Sequence, residues 1–197
     1  MVKRLSLVLG AAALCIAAGL AAWQFLGGRS GPSGATDPAS PLLVGSMEKF
    51  TLSVPPRPAP VAEFQDAYGN SVSLLDFGGR VILLNLWATW CAPCVEEMPA
   101  LDRLQGELGD EGLVVVALSL DLQGAQVVRP FYQKLGIKNL GIYLDPSNEY
   151  SQLLGADAVP SNLLISRGGL FMGKLIGSAD WDSPEAIALL RHYLKAP

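Results

Sequence analysis

Histidine is almost absent from this sequence: His192, near the C-terminus, is the single one in 197 residues. A multi-histidine metal site is therefore excluded. Cysteine is scarce as well, with only Cys15, Cys91 and Cys94. Three are too few for a disulfide-stapled scaffold and too few for a four-thiolate zinc site. Basic residues are few and scattered: 14 Lys and Arg stand against 18 Asp and Glu, for a formal net charge of -4. Beyond Lys3-Arg4 no basic cluster exists, and nucleic-acid binders need one to neutralise phosphates. Internal repeats and a coiled-coil seam are also missing, so a monomer is expected.

What is present begins with an uncharged, apolar run over 5–26 behind Lys3 and Arg4. About 20 such residues suffice to cross a bilayer as a helix. A cleaved signal peptide has a shorter apolar region of about 7–15 residues followed by small residues, and Gly19-Leu20-Ala21 fits such a site. The run continues through Trp23 and Phe25, however, and Trp favours a membrane interface. Residues 1–26 are accordingly read as a transmembrane anchor, with a cleaved signal as the alternative. Cys15 is a poor lipid-attachment site, because Leu14 stands before it where a small residue is usual. Basic residues stay on the cytoplasmic side, which places the rest of the chain across the membrane, in a bacterium the periplasm. Residues 27–46 are rich in Gly, Ser, Ala and Pro and read as a flexible linker. A globular domain is expected over 47–197.

Along that domain, 55–60 is a proline-rich extended lead-in, 61–64 a short strand, and 71–75 a second strand or the start of a helical turn. Residues 81–87 are nearly all apolar, as in a strand buried on both faces. Val95, Met98, Leu101, Leu104 and Leu108 then recur at helical spacing, with Pro93 in the first turn and Pro99 expected to kink the helix. Residues 113–120 form another continuous apolar strand, and strand–helix–strand implies a parallel unit. A helix over 126–135, a strand over 141–144 and a short helix over 147–154 capped by Ser147 follow. Strands at 159–166 and 170–176 flank the turn Arg167-Gly168-Gly169. Ser183 and Pro184 open a last helix to residue 194.

The chemistry concentrates in Trp90-Cys91-Ala92-Pro93-Cys94, between a buried strand and a helix. A helix N-terminus offers partial positive charge and free N–H groups. Cysteines of Cys-x-x-Cys motifs placed there have pKa values of roughly 3.5–7.5 against about 8.5 for a free thiol. The thiolate is the attacking species. Cys91 is therefore the expected nucleophile, exposed, and Cys94, one turn further in, the more buried resolving thiol. A merely stabilising disulfide is the rival reading, but a bridge closing so small a loop constrains the unfolded chain little. A metal half-site is the other rival, and no histidine lies near it in sequence.

The segment from Asn85 through Trp87, Trp90, Cys91, Cys94, Glu97 and Pro99 to Leu101 resembles the thioredoxin superfamily in its TlpA-like, or ResA-like, branch. The resemblance extends over about 61–194. It implies an α/β thioredoxin-like fold: a central mixed sheet flanked by helices, with a central helix–strand insertion near 126–144, preceded by an N-terminal transmembrane anchor. It implies that Val159-Pro160 is the cis-proline loop that faces the cysteines and pairs with substrate, with Ser161 in place of the usual threonine. Thioredoxin keeps a buried aspartate where Asn85 stands. The TlpA-like branch commonly has a glutamate just after the motif, and Glu97 fills that position, either tuning the thiols and shuttling a proton or standing as an exposed helix carboxylate. The residues expected to act in catalysis are thus Cys91, Cys94, Pro160 and Glu97. Trp90, Ala92, Pro93 and Val159 are expected to meet the substrate. Trp87 is expected below the thiols, and Trp181 and Trp23 have no matching role.

The resemblance further implies a thiol–disulfide oxidoreductase with no cofactor beyond its own Cys91–Cys94 disulfide. Its partners would be oxidised extracytoplasmic proteins and a membrane electron donor of thiol–disulfide type. Its setting would be the bacterial inner membrane, single-pass, with the catalytic domain in the periplasm. The branch serves cytochrome c maturation or copper-site assembly in respiratory oxidases. Ala92-Pro93 does not fix the direction of electron flow, so a disulfide-forming oxidant stays open. A peroxiredoxin needs a Pro-x-x-x-Thr-x-x-Cys pattern, and Leu84 and Ala88 stand in place of its proline and threonine. A copper metallochaperone of related fold spaces its cysteines three apart and adds a histidine. A thiol-independent adaptor remains the structural alternative.

Overall fold

The computed structural model describes residues 37–154 and 158–196. The apolar run 5–26, Cys15 and Trp23 lie outside the described residues. Among the described residues no helix is long and apolar enough to cross a membrane.

Eight strands form one mixed sheet: β1 (Thr51–Pro58), β2 (Glu63–Asp66), β3 (Ser71–Ser73), β4 (Val81–Trp87), β5 (Leu113–Ser119), β6 (Tyr143–Leu144), β7 (Ser161–Ile165) and β8 (Leu170–Ile176). Among the described residues four α-helices join it: α1 (Ala92–Leu108), α2 (Ala125–Leu135), α3 (Glu149–Leu154) and α4 (Pro184–Lys195). The spatial order is β1-β8-β7-β4-β5-β6-β2-β3. β4 runs parallel to β5, from Val81↔Leu113 to Trp87↔Ser119, and antiparallel to β7, from Ile82↔Ile165 to Leu86↔Ser161. β5 and β6 are parallel, and the outer pairs are antiparallel.

Every residue of β4 is buried. Side chains alternate between the faces of a strand, so Val81, Leu83 and Trp87 join the core with Met98, Leu101 and Leu104 of α1 and Leu189 and Leu190 of α4. Ile82, Leu84 and Leu86 join the opposite core with Phe64, Val116, Leu118, Tyr150 and Leu163. Asn85 belongs to the first set and faces α1. The central strand is thereby sandwiched, and its C-terminal end delivers the chain to the cysteine motif.

Four local expectations need correction. The proline-rich lead-in is strand β1, paired antiparallel with β8 and shifted in register between Leu52 and Arg57. Proline has no N–H to donate, and such a strand is tolerated only at a sheet edge, where β1 lies. Helix α3 begins at Glu149, and its cap is Asp145 rather than Ser147. The Asp145 carboxylate accepts the N–H groups of Glu149 and Tyr150, and Ser147 Oγ donates to that carboxylate at 2.9 Å. The strand expected over 141–144 shortens to the two residues of β6. The linker expected over 27–46 gives up its last ten residues to the fold: 3₁₀ turns at Ser40–Leu42 and Gly45–Met47 pack against α4, and Ala39 is buried in the core. Apolar residues interspersed among the small ones, Ala39, Leu42 and Leu43, supply the contact.

Candidate active site

Cys91 is the N-cap of α1, with extended backbone, and Pro93 sits in the first turn. Its sulfur is bonded to Cys94 Sγ at 2.08 Å, with Cα atoms 5.3 Å apart. The backbone N–H of Cys94 points at Cys91 Sγ from 3.3 Å. That donor is one of the unpaired N–H groups of a helix start, and it would stabilise negative charge on Cys91 once the disulfide opens. Cys91 is more enclosed than expected, 6% exposed against none for Cys94. The surface around it is supplied by Ala92 and Pro93, both exposed, and by Trp90, which is 69% exposed.

The Val159–Pro160 bond is cis and immediately precedes β7. A cleft of about 330 Å³ between Trp90, Leu120, Leu122, Asn148 and Val159 opens beside it. A second hollow, of about 250 Å³ by the Arg167–Gly169 turn and Arg80, lies at the opposite end of the strands and holds no motif residue.

The loop that leads into Cys91 is held from the next strand. Asp121, buried just past β5, accepts the Thr89 N–H at 2.9 Å and the Thr89 hydroxyl at 2.7 Å, and Ser119 Oγ donates to it at 2.9 Å. Trp87 lies beneath, stacked on Tyr132 and tilted against Phe131 with centroids 5.9 and 5.1 Å away.

Glu97 is not on the surface; 3% of it is exposed. It lies one helical turn beyond Cys94, on the inward face that also carries Met98 and Leu101. Asn85 Nδ2 donates to Glu97 Oε1 at 2.7 Å, and the Ala179 N–H donates to Oε2 at 3.3 Å. The Trp181 indole favours the ionised carboxyl without a hydrogen bond of ordinary geometry, since its N–H has no partner within range. Burial outweighs these favourable contacts and pushes the Glu97 carboxyl up to about 7. Glu96 is exposed on another face, as the spacing predicts.

Three contributors escape sequence reasoning: Asp121, Asn162 and Trp181. Asn162 lies directly across from Asn85 in the register of β4 and β7 and accepts its second N–H at 2.8 Å. The available signal was one amide in each of two mostly apolar strands. Buried polar side chains need partners, and here each is the other's.

Comparison with known proteins agrees with this arrangement. The sequence profile of the AhpC/TSA family matches residues 55–171, more than half of the chain. The chain belongs to the AhpC/TSA family. Over 121 residues it is 29% identical to the thiol-disulfide oxidoreductase ResA of Bacillus thuringiensis (strain Al Hakam), spanning 61% of this chain and 69% of that protein. It is 34% identical over 101 residues, 51% of each chain, to the protein of the same name from Oceanobacillus iheyensis. A crystal structure bearing the name thiol:disulfide interchange protein DsbE, from Chlorobium tepidum, superposes with a TM-score of 0.64 at 26% identity. It covers 71% of this chain and 96% of that one. Within the family the chain is ResA/TlpA-like, a thioredoxin-superfamily member whose activity class is thiol–disulfide oxidoreduction.

Proposed function

We propose that the chain is a reductant of disulfides in extracytoplasmic partner proteins, anchored in the bacterial inner membrane through 5–26 with its thiol domain in the periplasm. It would serve cytochrome c maturation or assembly of an oxidase copper site. The observation that carries this reading is the Cys94 N–H aimed at Cys91 Sγ from the start of α1. A thiolate stabilised there is a nucleophile at neutral pH.

The exchange runs in two balanced steps. The Cys91 thiolate attacks one sulfur of the partner disulfide; a Cys91–partner bond forms, and the other partner sulfur leaves as a thiolate and takes a proton. Cys94, deprotonated, then attacks Cys91 Sγ. The Cys91–Cys94 bond forms and the second partner sulfur leaves. Two electrons and two protons pass to the partner, and a membrane dithiol donor must return them before the next cycle. Glu97, one turn from Cys94, accepts and returns the Cys94 proton. Trp90, Ala92, Pro93 and Val159 form the surface on which the partner segment lies, with the backbone beside Pro160 pairing to it as an added strand. The disulfide itself is the redox group, and no other cofactor is invoked.

The deciding measurement is the Cys91–Cys94 reduction potential, by equilibration of the full chain with thiol buffers. A value near about -270 mV, that of thioredoxin, supports a reductant, and Cys94→Ser should then trap partners as mixed disulfides. A value near about -120 mV reverses the direction to that of an oxidant, with the same two cysteines.

A further inference from the structure

The Asn85–Asn162 pair does more than fill the space between Glu97 and β7. Asn85 Nδ2 donates to Glu97 Oε1 at 2.7 Å and to Asn162 Oδ1 at 2.8 Å. Asn162 Nδ2 donates to the Gly177 carbonyl at 3.3 Å, and the Gly177 N–H donates to the Pro160 carbonyl at 2.9 Å. One unbroken chain of donors thus connects the carboxyl to the backbone of the cis-proline loop. We propose that Asn85 and Asn162 are positioning residues that transmit the protonation state of Glu97 to the loop at Pro160. The proposal rests on the reading above, in which Glu97 exchanges a proton and that loop meets the partner.

Donors and acceptors decide how the pair responds to a proton. An ionised Glu97 only accepts, and a carboxamide has two N–H donors and one oxygen. Both Asn85 donors are in use, and Asn85 Oδ1 is buried with no partner. A protonated Glu97 brings an O–H that conflicts with one of the two donors now facing it. Asn85 accommodates a proton on Oε1 by turning its amide, which places the idle Oδ1 on the O–H. The same turn confronts Asn162 Oδ1 with another oxygen, so Asn162 turns in step and withdraws its N–H from the Gly177 carbonyl. Gly177 is the residue that bonds Pro160. Asn85 and Asn162 are both fully buried, so water cannot easily absorb the mismatch in their place.

The groups facing Glu97 are few. On α1 they are Cys94 and the rest of the inward face; from β4, Asn85; from the segment after β8, the Ala179 N–H and Trp181. Asp180 and Asp182 flank Trp181 in sequence but pair with each other, and Asp182 also binds Arg103 at the surface. Cys94 titrates only when reduced, which dictates the state in which the test is made.

That test is an NMR pH titration of the oxidised full chain in detergent micelles, where neither cysteine carries a proton. The side-chain amide signals of Asn162 and the backbone N–H of Gly177 should shift with the midpoint of the Glu97 carboxyl and lose that response in Glu97→Gln. In Asn85→Leu, Glu97 and the Ala179 N–H should still titrate together while Asn162 and Gly177 stay flat. If Asn85→Leu does not fold, Asn162→Ser should abolish the Gly177 response alone. Asn162 signals that stay flat in the wild type, or a Gly177 response that survives either cut, would overturn the relay. Absence of disulfide reduction by the wild type would instead overturn the underlying reading and leave the titration result standing.

Discussion

Glu97 carries its carboxyl into a space closed by Asn85, Ala179 and Trp181, and the desolvation this entails has a sign that equilibrium unfolding can read. Burial raises the carboxyl from an ordinary 4.5 to about 7 in the folded chain. Between those values the folded chain holds a proton that the unfolded chain has released. Stability is therefore full below the unfolded value and falls as pH rises through about 7. The whole swing is about 3 kcal/mol at 1.36 kcal/mol per unit. Urea unfolding of the oxidised chain at pH 5 and pH 8, in wild type and Glu97→Gln, isolates this contribution, because disulfide-bonded cysteines do not titrate. The fall between the two pH values should shrink by most of that amount in Glu97→Gln, which has no proton to lose, since part of the swing already lies below pH 5. Parallel falls would mean that Glu97 ionises as freely as a surface carboxyl. The unpaired Asn85 Oδ1 beside it costs about 1–3 kcal/mol by itself, so this corner of the core is held at the expense of stability.

Helix α1 is fixed at its middle as well as at its cysteine end. Asp102 accepts the N–H groups of Lys138, Asn139 and Leu140, at 3.0, 2.6 and 3.1 Å, and so ties α1 to the loop between α2 and β6. Asp102→Ala would strand these donors and should cost about 2–3 kcal/mol in urea unfolding, while the Cys91–Cys94 potential stays put. A potential that moved would make the inserted loop part of the redox site. Which elements were legible in sequence follows from the same kind of local chemistry. β4, α1 and β5 are continuous apolar runs or 3.6-residue patterns, and α4 is announced by Ser183 and Pro184, whose cap is realised by Ser183 Oγ and the Ala186 N–H. β1 was not legible as a strand, because Pro55, Pro56 and Pro58 remove the donors that mark one, and only the partner β8 reveals its edge position. At the site, Cys91 and Cys94 announce themselves by spacing and neighbours, and Pro160 only through the resemblance to the thioredoxin superfamily. Asn162, Asp121 and Trp181 do not, since their meaning comes from strand register and from the loop after β8, which no local pattern encodes.

Across the whole molecule, the sheet separates two cores, and the one above β4 is shared by the redox helix, the last helix and the segment before β1. Met47 is fully buried there, in the same cluster as Cys94, Met98, Leu189 and Trp181. Next to it, Ser46 Oγ and Ser183 Oγ lie 2.5 Å apart, so the entering chain is bonded to the cap of α4. This segment therefore closes the core on which α1 rests, and a tether would not do that. Met47→Ala should cost about 2–5 kcal/mol, as for other buried Met positions. The substitution removes apolar contacts and leaves the Cys94 N–H and Cys91 Sγ geometry to α1 itself, so the potential should change little while the urea midpoint falls. If Met47→Ala instead left the midpoint unchanged, the segment would not be part of the folded unit, and the domain would begin at β1. A large fall in midpoint with an intact potential would place Met47, ahead of β1, inside the folding unit and separate what holds the domain together from what sets its redox chemistry.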